Sequence, residues 1–479
     1  MRAWADASIV LAAKLAASTA VLAAGFRAIS DDDFARITIA QRFAEAPSLD
    51  PSGTSWLPLP FWVYGSAFAV FGNGLEVARY VAVALGLVGA LAVWFAARLL
   101  GLGRVAAISA GVLAAVFPYS AYLGAAAVPE APASALVVLG AATLARGPWL
   151  RLLGAAALGA ACASRYEPWP AAIAFAGFTL VEAIRTRELR LYASAALAVA
   201  FPLAWLAHGL FVHHDALFFL ARVAEYKAAL GPEQPIALRL VRAPLGLLKE
   251  PELVLGCLLL GGLVLGLGSG RAAPTTTGTR ALLRGSACIA ASFVVLVLGD
   301  LLGGAPTHHG ERTLLAVWLW TALVAAFLAE QLLLDRSRRR EVRLALLGSV
   351  VLATLLLGAL VRPRFPRDAF ASRNAEVDLG LRARSRHIPR LAIAASDYGY
   401  FAVEASFGSP SATLIIDDHD PRRARSRDLL AEQPAELARR LTSQGVHWLA
   451  LPLSRRATVK SIADERDRNE RWALVELRR

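Results

Sequence analysis

Uncharged apolar runs about as long as a bilayer is thick recur along this sequence, and they restrict its possible folds more than any other feature. Residues 105–122 read VAAISAGVLAAVFPYSAY, without one charged side chain. A helix rises 1.5 Å per residue, so about 20 apolar residues cross roughly 30 Å of hydrocarbon. Similar runs fall near 7–29, 76–100, 131–146, 150–164, 168–184, 190–211, 251–268, 285–304, 312–333 and 343–361. Backbone polar groups must be paired within lipid, so such runs are expected to be helical. The expected fold is an all-α polytopic membrane domain of about eleven transmembrane helices over residues 1–361. Hydrophobic residues make up 57% of the chain and charged ones 18%, shifted to the apolar side of an ordinary soluble domain.

The net charge of +13 would suit a nucleic-acid binder, but its distribution argues against one. The arginines cluster in short connections: Arg98 and Arg104; Arg146 and Arg151; Arg185, Arg187 and Arg190; Arg271, Arg280 and Arg284; and Arg336, Arg338, Arg339, Arg340 and Arg343. These mark every second loop, the alternation expected when basic loops stay in the cytoplasm. The reading is a multi-pass plasma (inner) membrane protein with a cytoplasmic N-terminus, in contact with membrane lipids and not nucleic acid. The connections 30–75, 122–130, 164–168, 212–250 and 305–311, and everything after 361, are then extracytoplasmic. Met1–Ser30 resembles a signal peptide only superficially: Lys14 interrupts its apolar stretch and many spans follow, so an uncleaved first helix is expected. Cys162, Cys257 and Cys288 lie in or beside apolar runs, with no ligand spacing.

In the 30–75 loop, residues 56–71 (WLPLPFWVYGSAFAVF) read as a short helix lying in the membrane interface, where Trp and Tyr are favoured. The 212–250 loop is amphipathic enough for a second. Residues 269–284, with APTTTGT, read as a flexible linker. From about Arg362 the composition becomes that of a soluble chain, and 362–479 is expected to be a small α/β domain. RLAIAA (390–395), SATLIID (411–417), HWLALP (447–452) and WALVEL (472–477) read as buried strands, and 434–445 as a helix stopped by glycine.

Asp31, Asp32 and Asp33 follow the first span directly. One carboxylate in hydrocarbon costs about 2.5–3.5 kcal/mol on the lenient insertion scale, so the three must meet water or a polar cavity. A solvated helix end would explain them, and so would an active site. The surrounding segments carry a resemblance: ISDDDFARITIAQRFAEAP (29–47), LPLPFW (57–62), FGNG (71–74), ARY (78–80), YLGAAAVPEAP (122–132), ASRYEPW (163–169) and THHGERTLL (307–315). In order and placement they resemble the GT-C membrane glycosyltransferases, the family 39-like group of protein O-mannosyltransferases and lipid A aminoarabinose transferases. The resemblance covers roughly residues 1–361, and three aspartates stand where the family has two acidic residues.

The resemblance implies transfer of a sugar from a polyprenyl-phosphate donor to a lipid, glycan or protein acceptor at the outer face of the membrane, with inversion. It implies Asp32 as general base, with Asp33 or Asp31 orienting. Glu130 would add an acidic group from the second outward loop, unless it merely ends that loop in water. A phosphate needs cations, and arginine offers a matching fork. Arg165 and Arg312 are the leading candidates, followed by Lys227, His308 and His309, with Glu311 beside Arg312. Tyr166 and Glu167 are candidates for the sugar, although an aromatic belt explains the tyrosine equally well. No cofactor is certain. A divalent metal stays open, since the His pair lacks a third ligand at metal spacing. The rival reading is a transporter or flippase of lipid-linked sugars, which would need ionisable groups near the midplane. Here Lys14 and Glu182 sit near span ends instead.

Overall fold

The computed structural model describes residues 2–229, 235–247, 276–302, 310–334, 373–395, 398–416, 430 and 433–478. Helices dominate up to residue 334. Among the described residues, four helices are long and apolar enough to cross a membrane: Trp4–Ala23, Leu75–Leu99, Leu189–His213 and Gly278–Leu301. Within the expected runs lie α1 (Arg2–Ala23), α4 (Leu75–Leu99), α5 (Arg104–Val116) with its short continuation α6 (Pro118–Leu123), α7 (Glu130–Ala142), α8 (Pro148–Cys162), α9 (Trp169–Thr186), α10 (Leu189–His208), α13 (Thr276–Leu301) and α14 (Leu315–Leu334). The runs 251–268 and 343–361 lie outside the described residues, as does the 361/362 boundary. The 269–284 expectation fails in its second half, because residues 276–284 are the opening turns of α13.

The bundle packs through small residues. α4 lies on α7, α7 on α8, α8 on α10, and α14 against α5 and α7, and alanines dominate the buried faces. Gly86 of α4 meets the turn after α6 so closely that a Cβ there would stand 2.5 Å from the Gly124 carbonyl oxygen. Between α5 and α6, Pro118 cannot donate a helical hydrogen bond, and Phe117 is extended with ψ 143°. Lys14 of α1 answers this break. Its Nζ donates to Ser120 O at 2.7 Å and Ala115 O at 3.3 Å. A buried amine in the bundle thus serves as a backbone staple, the kind of partner that free carbonyls in lipid require.

Residues 30–75 are more ordered than a loop. They form α2 (Asp31–Glu45) and α3 (Leu59–Phe71). The second begins at Pro58, with Pro60 in its first turn where a missing N–H costs nothing. α2 buries Phe34, Ile37 and Ala40 against Phe61, Tyr64 and Phe68 of α3, each large side chain contributing about 1.5–3 kcal/mol. Residues 212–250 supply α11 (Phe218–Ala229) and α12 (Ile236–Gly246).

The C-terminal unit is a five-stranded sheet, ordered β2-β1-β3-β5-β4. Its strands are β1 (Leu391–Ala394), β2 (Thr413–Ile416), β3 (Trp448–Pro452), β4 (Ala463–Arg468) and β5 (Trp472–Leu477), with helices α15 (Asn374–Ser385), α16 (Tyr400–Phe407) and α17 (Pro434–Ser443). β1 pairs in parallel with β2 and β3, while β5 runs antiparallel to β3 and β4. The four expected strands are present. The fifth, β4, reads ADERDR and escapes an apolar-pattern search because it is a charged edge strand. Helix α16 packs on α2, and Val377, Ala402 and Ala405 share a core with Phe34 and Ile37.

Candidate active site

The three aspartates at the start of α2 have three different environments. Asp33 is fully buried. Its Oδ1 accepts the Ala127 N–H at 2.9 Å, and its Oδ2 accepts the N–H groups of Ile29 (3.1 Å) and Ser30 (3.3 Å). It therefore caps its own helix and fixes the turn ahead of α7. Burial pushes its carboxyl above the usual carboxylate range, while Arg79, Arg312 and these backbone donors pull the other way. Asp31 is gripped by Arg373, with Nε to Oδ1 at 2.8 Å and Nη2 to Oδ2 at 2.9 Å. Asp32 is half exposed, at 51%, and its Oδ2 lies 3.6 Å from Arg312 Nη1.

Arg312 is 4% exposed and sits in the tight turn Gly310–Leu314 that leads into α14. Besides Asp32 it faces Glu130 Oε1 at 3.9 Å, yet among the described residues its Nε and Nη2 have no hydrogen-bond partner. Two adjacent N–H groups of one guanidinium are thus left unsatisfied, which is costly unless a ligand completes them. Glu130, the first residue of α7, is equally buried, and among the described residues its Oε2 also lacks a partner. Arg165, Glu167 and Arg312 border a small cleft whose walls include Val137, Ile289 and Val317 from α7, α13 and α14. Beside these charged groups, the lining is largely apolar, with the hydroxyls of Ser134, Ser292 and Thr313 among it.

Arg165 is placed differently from the expectation of a phosphate fork. Its Nε and Nη2 are held by Glu167 at 2.9 and 2.6 Å, and its Nη1 by Glu130 at 2.6 Å. Burial disfavours its charge, and Glu167 and Glu130 together outweigh that effect. With the fork occupied, Arg165 serves to orient Glu130, and Glu167 serves to orient Arg165. Tyr166 belongs to an aromatic stack. Its ring lies 4.2 Å from that of Phe219, and its hydroxyl accepts from Trp205 Nε1 at 3.2 Å. Lys227 points to Asp300 of α13 at 3.9 Å, a carboxylate shared with Arg242. Glu311 lies in the turn beside Arg312. His308 and His309 lie outside the described residues. Among the described residues, no group of three or more His, Cys, Asp or Glu side chains is placed to hold a metal ion.

Arg36, absent from the sequence expectations, joins the cluster. It is buried, its guanidinium lies 4.2 Å over the Trp56 ring, and among the described residues its Nε has no partner. Burial lowers its pKa, with Glu130 and Asp32 opposing. The signal was available: Arg36 stands four residues after Asp32, hence on the same helix face. Asp32, Glu130 and Glu167 thus face Arg36, Arg165 and Arg312, three carboxylates against three guanidinium groups.

Residues 52–207 match the family model described as dolichyl-phosphate-mannose-protein mannosyltransferase. The matched segment carries Glu130, Arg165, Tyr166 and Glu167, and the resemblance to the mannosyltransferase group holds over it. No curated protein matches this chain. Two crystal structures of ArnT from Cupriavidus metallidurans are similar to it. The apo state has 13% sequence identity and a TM-score of 0.45, covering 94% of this chain and 94% of that one. The form bound to undecaprenyl phosphate has 13% identity and a TM-score of 0.47, covering 98% and 97%.

Proposed function

We propose that this chain is a membrane glycosyltransferase that moves a sugar from a polyprenyl-phosphate carrier onto a hydroxyl of a lipid, glycan or protein. The observation that carries the reading is the edge of Arg312. Among the described residues, Arg312 Nε and Nη2 have no partner, its Nη1 lies 3.6 Å from the half-exposed carboxylate of Asp32, and Arg312 borders a small cleft with largely apolar walls. A lipid-linked phosphate has the matching parts, an anionic head for Arg312 and a chain for the apolar wall. The mannosyltransferase match over 52–207 supports the same chemistry.

In this mechanism the acceptor oxygen attacks the anomeric carbon from the face opposite the phosphate, so the configuration inverts. Asp32 takes the hydroxyl proton as the new C–O bond forms. The bond from the anomeric carbon to the phosphate oxygen breaks, and Arg312 holds the charge that grows on the departing phosphate. That leaving group needs no strong acid. Glu130, oriented by Arg165, is placed to accept hydrogen bonds from the sugar through its free oxygen. Arg36 offsets part of the negative charge of Glu130 and Asp32. The alternating basic loops support a site on the extracytoplasmic side, with the N-terminus in the cytoplasm.

The test is Asp32→Asn in proteoliposomes supplied with a radiolabelled polyprenyl-phosphate sugar and a membrane extract as acceptor. The variant should fold and bind donor normally, yet lose roughly two to four orders of magnitude in transfer. Near-normal transfer would remove Asp32 as the base and the reading with it.

A further inference from the structure

α2 carries Asp32, and its buried face lies in a core shared with both α3 and the C-terminal unit. One side rests on α3, and another is held along its length by the C-terminal unit. At its start Arg373 forks onto Asp31 through two bonds of 2.8 and 2.9 Å. Further on, the Gln41 side-chain amide donates to Ala405 O at 2.9 Å, and Arg42 meets Glu404 at 2.7 Å. At the far end Glu45 accepts the Ser411 N–H at 3.1 Å. Arg373 is itself backed by Glu376, fully buried, at 3.4 Å, and the Trp472 indole donates to that same carboxylate oxygen at 3.3 Å. A chain of contacts thus runs from β5 through Glu376 and Arg373 to the residue next to Asp32.

We propose that the C-terminal unit is a brace for α2, and that Arg373 is a positioning residue that aims Asp32 at Arg312 by gripping Asp31. The proposal rests on the reading of Asp32 as base. Side chains of a helix reach about 5 Å from its axis, so a roll of about 10° displaces a carboxylate by about 1 Å. A misplacement of that size can cost about a hundredfold in rate. Asp33 ties the helix start to the turn before α7. The bidentate grip on Asp31 adds a second tie, from the helix start to the C-terminal unit. Arg373 also neutralises Asp31, so that Arg312, Arg36 and Arg165 are not shared with a second exposed carboxylate.

The experiment uses the full chain in proteoliposomes with a polyprenyl-phosphate sugar, comparing kcat and donor KM for Arg373→Met, Arg373→Lys, Asp31→Asn and the double variant Arg373→Met/Asp31→Asn. Arg382→Met is the control. Arg382 pairs with Asp378 and Asp467 inside the same unit and should change neither constant. Arg373→Met should lower kcat about tenfold to a hundredfold while donor KM stays within about threefold. Arg373→Lys keeps the charge without the fork and should fall between Met and parent. The double variant should be no worse than the worse single one, because both remove one contact. If Arg373→Met fails to fold, Arg373→Lys alone decides, and a parental kcat there overturns the proposal. Parental kcat in Arg373→Met with a dead Asp32→Asn refutes the brace and leaves the base in place. An active Asp32→Asn removes both.

Discussion

Replacing Asp33 by Asn should damage the fold far more than the same change at Asp32, although the two residues are adjacent and the substitutions identical. Both oxygens of Asp33 act as acceptors, one for Ala127 and the other for Ile29 and Ser30. Burial favours the protonated acid, but three N–H donors leave no acceptor for an acid proton, so the geometry calls for the carboxylate. Asparagine has one acceptor oxygen. In the better of its two flips it keeps Ile29 and Ser30 and turns an NH2 toward the Ala127 N–H, leaving that donor buried and unpaired at about 1–3 kcal/mol. The remaining bonds lose their charge assistance, roughly half their strength. The sum is about 2–4 kcal/mol, several degrees in melting temperature. Asp32→Asn touches a half-exposed group with one contact at 3.6 Å and should melt like the parent. Thermal unfolding of both variants in one detergent, followed by cysteine-reactive fluorescence, gives the comparison. An Asp33→Asn protein that melts within about 1 °C of the parent would refute this account. So would an Asp32→Asn protein that melts several degrees lower.

Arg312→Ala should raise the donor KM about tenfold to a hundredfold, the equivalent of a lost charge-assisted contact of about 1.5–3 kcal/mol, and Arg312→Lys should recover only part. Unchanged KM in both variants, measured with the same donor, would move the phosphate elsewhere. Gly86→Ala places a Cβ 2.5 Å from the Gly124 carbonyl oxygen, and Lys14→Met frees the two carbonyls held by that lysine. Each should lower the melting temperature by several degrees, about 1–3 kcal/mol, and a parental melting curve would count against the staple. Reporter fusions at residue 340 and at the C-terminus should land on opposite sides of the membrane, and finding both on one side would undo the proposed orientation.

The sequence was most informative where a property is local. Uninterrupted apolar runs specify helices in lipid whatever their neighbours, so α4, α10 and α13 lie close to where their runs do. The buried strands β1, β3 and β5 are short apolar words, and they too are found in place. α2 was less visible, because its N-terminal turn is acidic and its apolar face matches neither a span nor a loop. Yet Phe34, Ile37 and Ala40 repeat at helical spacing and do mark its buried face.

Three adjacent aspartates announce a polar site, but nothing in their order distinguishes them. The distinction comes from groups far away in the chain: Ala127 claims Asp33, Arg373 claims Asp31, and only Asp32 is left toward Arg312. The same holds for the arginines. Arg165 and Arg312 look alike in sequence, and tertiary contacts give one fork to Glu167 and Glu130 while leaving two nitrogens of the other unsatisfied. The physical reason is one of range. Hydrophobic periodicity is set by solvent and by the repeat of each element, so it is written in consecutive residues. A carboxylate's partner is whichever cation the packed helices bring within about 3–4 Å, and only the assembled bundle with its C-terminal unit decides that.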